Sequence, residues 1–414
     1  MSWIRFILVF LAGWPLAFGS DEFSDRLEQL LTFSTRDGRL RGRMSGTLEI
    51  ESYAVQLPAP GLLYTESAFL TAPRWNVFLD VQMGAEFYFF AQVRADRGFD
   101  PGAAGAQVRL DEYALRFTPW RDSRLNVQVG RFATAVGNWG ARHGAWSNPF
   151  ITAPLPYENL TGMWDTEAVP LSRVLLLWSH VYPGSQGKET LEEKFQRIPI
   201  IWGPSYTTGI LVAGELGRWR YAGELKLGSL ASRPDAWMHG LEEWTHPTVS
   251  GRLGYRPNQM WNLGVSASAG PYLRDFATVN FKTGVGRGDF EQRVVAADVA
   301  FGWHQWQMWS EVFASRFCIP KIGDVDTVSY YSEVKYKVTP QWFLAGRWNQ
   351  QLFSTLVDRG VATKWGADVW RIDFSPGYRF SAYTQLKFQY SLQHGDSARR
   401  DFTRTLAAQL TLRF

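Results

Sequence analysis

The chain of 414 residues contains one cysteine, Cys318, so no intrachain disulfide can form and a cystine-stapled scaffold is excluded. Charge of one sign is also lacking: 43 Lys and Arg against 39 Asp and Glu leave a formal +4. That excess is too small for the concentrated basic face of a nucleic-acid binder, and no nucleic-acid partner is expected. Six histidines show no Cys/His spacing for a metal, and neither a phosphate-cradling Gly loop nor a Gly-x-Ser-x-Gly elbow occurs. No cofactor is expected. Long apolar runs are missing after the first residues. The strongest later one, Val174 to Trp178, is far shorter than the ~20 residues a helix needs to cross a bilayer, and mean hydropathy is −0.21. A helical membrane protein does not fit.

Aromatics and glycine are plentiful, with 20 Trp and 38 Gly. Residues 1–19 read as a secretory signal peptide: a short start carrying Arg5, an apolar run from Phe6 to Phe18 broken by Gly13 and Pro15, and small Ala17 and Gly19 before the cleavage point. Residues 20–40 form a short periplasmic segment, partly helical, with Phe23, Leu27, Leu30 and Leu31 on one side. From 41 to 414 the pattern is strand-like, in runs of about ten residues alternating apolar and polar, the period of a sheet with two different faces. Leu406, Ala408, Leu410, Leu412 and Phe414 alternate with Ala407, Gln409, Thr411 and Arg413. Several runs begin on Trp, as at Trp75, Trp219, Trp261 and Trp342, which fits an aromatic girdle at a lipid boundary.

Connections alternate short and long. Turns near Met83 to Glu86, Leu216 to Arg218 and Val338 to Pro340 contrast with segments such as 57 to 74, 183 to 205 and 270 to 290. This is the plan of a transmembrane antiparallel β-barrel, all-β, with short periplasmic turns and long extracellular loops. Parity requires one descending strand between Phe132 and a rising strand from about Arg173, placed around Leu160 to Thr166. With it the count is 18. Sixteen stays open if that strand or an N-terminal one fails.

The terminal LAAQLTLRF, closing on Phe414, resembles the signal by which outer-membrane barrels are recognised for assembly, carried by Leu410, Leu412 and Phe414. LRFTPWRDSRLNVQVGRFATAVGNWG, from Leu115 to Gly140, is similar to the strand–turn–strand of the phosphate-selective O/P-type porin group of Gram-negative bacteria. The resemblance implies an integral outer-membrane location, contact with membrane lipid and lipopolysaccharide, the barrel-assembly machinery as a partner of the last strand, and a homotrimer. The long loop departs from a phosphate channel, since Ala141 to Glu158 has only Arg142 and His143 as cations.

In a water-filled barrel, function lies on the inward face. Parity places Arg94, Arg116, Arg220, Lys226, Arg252, Lys335, Arg347, Arg371 and Lys387 there, with Glu112, Glu224, Glu311 and Glu333. The cationic excess predicts slight anion preference, against the alternative that cross-strand pairs neutralise one another. Arg131 falls on the lipid-facing parity, so it stands at the rim or is turned inward by a bulge near Gly130, the bulge being favoured. The constriction candidate is 133–170, carrying Trp139, Arg142, His143, Trp146, Phe150, Tyr157 and Trp164, stiffened by prolines. An external aromatic lid is the alternative. Ser179 with His180, or Asp235 with His239, are weak enzyme candidates, and no enzyme is expected. The function expected is passive diffusion of small hydrophilic solutes. A substrate-specific oligosaccharide or polyanion channel, or a non-conducting barrel enzyme or adhesin, are the alternatives.

Overall fold

A computed structural model describes residue 26 and residues 29–96, 106–180, 190–234, 246–274, 276–277, 284–395 and 402–414. The signal peptide and Phe23, Leu27, Asp235 and His239 lie outside the described residues. The strands are β1 (Thr32–Ser34), β2 (Leu40–Val55), β3 (Phe69–Met83), β4 (Phe87–Asp96), β5 (Gln107–Phe117), β6 (Asn126–Phe132), β7 (Thr207–Leu216), β8 (Trp219–Lys226), β9 (Thr248–Tyr255) and β10 (Trp261–Pro271). They continue as β11 (Glu291–Trp303), β12 (Trp306–Phe317), β13 (Val325–Lys337), β14 (Trp342–Phe353), β15 (Thr355–Asp358), β16 (Val361–Lys364), β17 (Val369–Arg379), β18 (Thr384–His394) and β19 (Thr403–Arg413).

Sixteen of them, β2–β14 and β17–β19, form a closed antiparallel barrel in which each strand pairs with its neighbours in sequence. The last strand closes on the first, β19 against β2, from Thr405↔Val55 to Arg413↔Thr47. Closure leaves no unpaired edge in the wall, which is what a sheet in hydrocarbon requires. β1 is an extra strand folded back on the start of β2, so the N-terminal segment is partly strand. β15 and β16 make a small hairpin inside the β14–β17 connection.

The period-2 pattern becomes two faces. On β13, Thr327, Ser329, Tyr331, Glu333 and Lys335 are buried toward the lumen, while Val328 faces out. Val249, Val265 and Val295 are each more than half exposed on the outer face, an apolar belt that reads as lipid-facing. Near the short turns, cross-strand aromatic pairs sit on that face at ring separations of 4.6 Å for Trp219–Tyr255, 4.5 Å for Trp261–Phe301, 4.5 Å for Trp306–Tyr336 and 4.8 Å for Trp342–Tyr378. This is one girdle. Trp75, opposite Ala95 at the far end of β4, stands toward the long-loop end instead.

The strand count is the lower of the two expected. Residues 160–166 make no barrel strand, and Arg173 opens no rising strand but lies in a helix. Residues 133–206 are instead one connection between β6 and β7, carrying helices α1 (Leu155–Glu158), α2 (Ser172–His180) and α3 (Leu191–Phe195). The apolar run Val174 to Trp178 has no alternation, so its sequence does not separate strand from helix.

At the seam, Gly46 N donates to Phe414 O and Phe414 N donates back to Gly46 O, each at 3.0 Å. A Cβ on Gly46 would stand 2.5 Å from the Phe414 ring and 2.6 Å from the backbone oxygen of Asn76. Gly46→Val should therefore destabilise the barrel by about 1–3 kcal/mol, read as a lower urea midpoint for the compact electrophoretic form. Gly302→Ala, whose added Cβ meets nothing within 4 Å, should leave that midpoint unchanged.

Candidate functional site

The wall around the lumen is lined by the charged side chains expected there, and most of them hold the β6–β7 connection inside the barrel. Both ends of that connection are fixed by one buried amine: Lys226 Nζ donates to Phe132 O at 2.7 Å and to Ser205 O at 3.3 Å. Four wall glutamates, Glu112, Glu224, Glu311 and Glu333, then take the loop in chain order. Glu112 accepts from Ala133 N at 2.8 Å, and Glu224 accepts from Thr134 Oγ1 and from Ala135 N at 3.0 Å. Glu311 accepts from Asn138 N at 2.7 Å and from the Tyr157 hydroxyl. Glu333 pairs with Arg142, whose guanidinium also lies over the Trp309 ring at 4.6 Å.

Cations on the later strands hold the next part of the loop. Lys387 Nζ donates to three loop carbonyls, Ala145 at 2.8 Å, Asn148 at 2.9 Å and Phe150 at 3.3 Å. Arg347 donates to Thr152 O at 3.1 Å and stacks over Phe150 at 4.2 Å. Arg371 pairs with Glu158 and donates to Ala153 O. Irregular backbone at membrane depth needs such partners, because each unpaired buried peptide group costs about 1–3 kcal/mol. The loop is thus seated against the wall from β5 round to β18. It lies in the lumen, not outside as a lid.

The aromatic loop residues divide by role. Trp139 packs on Tyr157 at 4.7 Å, in a cluster with Phe313 and Tyr331 of the wall. His143 is held at both ring nitrogens: its Nδ1 donates to Gly140 O at 2.6 Å, and its Nε2 lies 2.8 Å from the Tyr206 hydroxyl. Trp146 lies beneath two guanidinium groups, Arg413 at 4.2 Å and Arg379 at 5.0 Å. Trp164 stacks on Trp178 at 3.9 Å and packs within the loop. At the helix α3, Thr190 and Glu193 form a capping box, and the hydrogen bonds from Thr190 hold the Glu193 carboxyl below its ordinary pKa.

Sequence reasoning missed most of the wall's acids. Arg74 meets Glu49, Glu51 and Asp96. Arg94 pairs with Asp111 at 2.9 Å, Arg252 with Asp298 at 2.7 Å and Arg347 with Asp373 at 2.8 Å. The cationic excess along the strands is therefore largely cancelled by side chains that the alternation, read without them, left out. Arg116 donates to Gln128 at 2.9 Å, Lys335 lies over Phe343 at 4.4 Å, and Arg220 pairs with Glu215 at 2.8 Å.

Arg131 is 3% exposed and lines a cavity at the long-loop rim. Gly130 has φ +145°, but the β5–β6 register runs through Arg131 without a shift. The register shift lies one strand earlier, between Gln92 and Val93 on the β4–β5 ladder. At Gly130 itself the ladder keeps its register, and Arg131 is buried at the long-loop end of β6. Ser179 Oγ donates to Leu175 O and the His180 ring meets Lys364 O, so this pair does not act together.

The seated loop divides the lumen. On the short-turn side lies a vestibule of about 710 Å³ lined by Arg43, Arg74, Arg94, Arg142 and Arg413 among its cations and by Glu49 and Glu112. On the long-loop side a cavity of about 100 Å³ is lined by Gln56, Pro60, Asn159, Gln393 and Thr403. Between them a pocket of about 20 Å³ shares Pro60, Gln393 and Thr403 with it and adds Tyr53, Glu158, Arg371 and Ser391.

No protein-family model matches the chain, and no curated protein matches it in sequence. Solved structures do match in fold. The outer membrane channel DcaP of Acinetobacter baumannii aligns with a TM-score of 0.56 at 9% identity, over 92% of this chain and 99% of that one. OmpT of Vibrio cholerae, an outer membrane protein in a trimer form, gives 0.53 at 8%, over 91% and 99%. The anion-selective porin from Comamonas acidovorans gives 0.52 at 10%, over 91% and 100%. The chain has the porin fold. At these identities the likeness is one of architecture, and the phosphate-selective O/P-type grouping draws no support from it.

Removing one partner of a buried ion pair leaves an uncompensated charge and costs about 3–5 kcal/mol. Glu158→Gln or Arg371→Gln should therefore loosen the loop in the porin barrel. Limited proteolysis in detergent should then cut within residues 133–170 of the variant while the wild type resists, with the barrel itself intact by circular dichroism.

Proposed function

We propose that the protein is a passive outer-membrane channel of a Gram-negative cell, through which small hydrophilic solutes diffuse with a slight preference for anions. The observation that carries the reading is the vestibule, a space whose lining holds five arginines and two glutamates inside a wall whose outer face is apolar. A cation-rich lumen with low-dielectric walls raises the local concentration of anions. The similar folds of a protein described as an outer membrane channel and of one described as an anion-selective porin favour the same reading. Permeation follows the long-loop end of β18 and β19, where the two upper cavities adjoin and Ser391, Gln393, Thr403 and Thr405 are among the lining residues.

In this reading residues 1–19 direct export, Leu410, Leu412 and Phe414 present the last strand to the barrel-assembly machinery, and lipid and lipopolysaccharide surround the belt. Three copies assemble, as in the trimer form of the Vibrio cholerae protein. The chain performs no chemical step. A channel specific for oligosaccharides or polyanions is the second reading, favoured by the neutral polar strip, and block of conductance by added sugar separates it from the first.

In planar bilayers the protein should give ohmic steps with an anion-biased reversal potential. Replacing Arg43 and Arg413 together by Glu should move the reversal potential toward cations, and Ser391→Trp, at the narrowest of the cavities, should at least halve the single-channel conductance. A membrane that stays silent with correctly folded protein overturns the reading.

A further inference from the structure

The rim at the short-turn end is unevenly charged. Three neighbouring turns stand side by side there: 118–125 between β5 and β6, 217–218 between β7 and β8, and 256–260 between β9 and β10. Backbone hydrogen bonds tie them into one arc, from Glu215 N to Ser123 O at 3.1 Å and from Arg256 N to Arg218 O at 2.8 Å. The Tyr221 hydroxyl adds a third tie, donating to Arg124 O at 2.7 Å. Every residue of the three turns is among the described ones, and they hold Arg121, Arg124, Arg218 and Arg256 against a single acid, Asp122.

Arg124 takes Asp122 at 2.7 Å, and Arg220 takes the adjacent Glu215 at 2.8 Å. Arg121, Arg218 and Arg256 are exposed, and their guanidinium groups make no ion pair, hydrogen bond or ring contact among the described residues. Each of the three is next in the chain to an aromatic residue: Trp120, Trp219 and Tyr255. Trp219 and Tyr255 form one of the girdle pairs on the lipid-facing side, at 4.6 Å, and Trp120 is 54% exposed. Amphipathic rings settle at the boundary between hydrocarbon and water. Arginines beside them stand within reach of the lipid phosphates.

We infer that this arc binds net-anionic phospholipid headgroups of the leaflet that the short turns meet, with Arg218 and Arg256 sharing one phosphate and Arg121 extending the surface along the rim. Guanidinium forks match the paired oxygens of a phosphate. In phosphatidylglycerol nothing in the headgroup cancels the phosphate charge, whereas choline or ethanolamine brings a cation that the arginines repel. The girdle favours a lipid over a soluble acidic polymer, because the rings beside the arginines meet the glycerol and acyl part of the same molecule. The inference rests on the outer-membrane reading of the barrel and makes no use of conduction.

The test offers the full-length, detergent-solubilised protein equal amounts of phosphatidylglycerol and phosphatidylcholine and counts the retained lipids by native mass spectrometry. The wild type should favour phosphatidylglycerol by about tenfold or more. An Arg218→Gln/Arg256→Gln variant should fall toward equal retention, while Lys321→Gln/Arg359→Gln, which removes the same charge at the long-loop end, should keep the preference. Equal retention by the wild type, an undiminished preference in the first variant, or the same loss in the second overturns the site. Co-sedimentation with purified peptidoglycan that the first variant loses while its lipid preference stands assigns the arginines to an acidic polymer instead, and overturns it too. Should that variant fail to fold, salt decides on the wild type: the preference should collapse at high ionic strength, and one indifferent to salt overturns the site. A silent bilayer with the lipid preference intact counts against the channel alone, and conductance without the preference counts against this site alone.

Discussion

Backbone polar groups that leave a sheet at membrane depth must find partners within the protein, and the interior of this barrel is organised by that demand. The residues from Ala133 to Glu158 make little regular structure of their own, so their amides and carbonyls are met by the wall. Glu112, Glu224, Glu311 and Glu333 accept from the first part of the loop. Lys387, Arg347 and Arg371 donate to the carbonyls of the next part. The change from acids to bases along the wall follows the change from donors to acceptors presented by the loop.

This arrangement also decides how much charge is left for solutes. A buried guanidinium or carboxylate is costly to desolvate, and the cost is offset only by good hydrogen bonds and an opposite charge. The wall supplies both. Arg347 has Asp373 at 2.8 Å and a loop carbonyl at 3.1 Å, so it contributes little field to the lumen. On the short-turn side Arg413 lies over the loop's Trp146 ring and lines the vestibule together with Arg43.

The barrel itself was legible because alternation is a local property: each strand shows its two faces in its own ten residues, as Leu406 to Phe414 do. Short turns against long connections then gave direction and closure. The loop was partly legible. Its position and its aromatic residues were recognised, but Val174 to Trp178 is apolar without alternation and was read as strand where it is helix. Contacts were not legible at all, since Tyr157 meets Glu311 and Glu158 meets Arg371 across more than 150 residues of chain. Asp96, Asp298 and Asp373 sit at inward positions like the glutamates that were recognised, so a complete reading of the parity finds most of the neutralisation, whereas Asp111, next to Glu112, is brought in by the register shift opposite Gln92 and Val93.

Where the loop takes fewest charged contacts, the wall has fewest charges to give. Ser391 and Gln393 of β18 and Thr403 and Thr405 of β19 face the inside with neutral groups. A charged side chain at these positions would need a loop partner to balance its desolvation, and such a partner would draw the loop across and close the remaining space. Neutral amides and hydroxyls can instead exchange hydrogen bonds with water or with a passing solute at little cost either way. The chemistry that fastens the loop by ions from β5 round to Lys387 of β18 therefore gives way, at the long-loop end of β18 and β19, to a neutral polar stretch of wall.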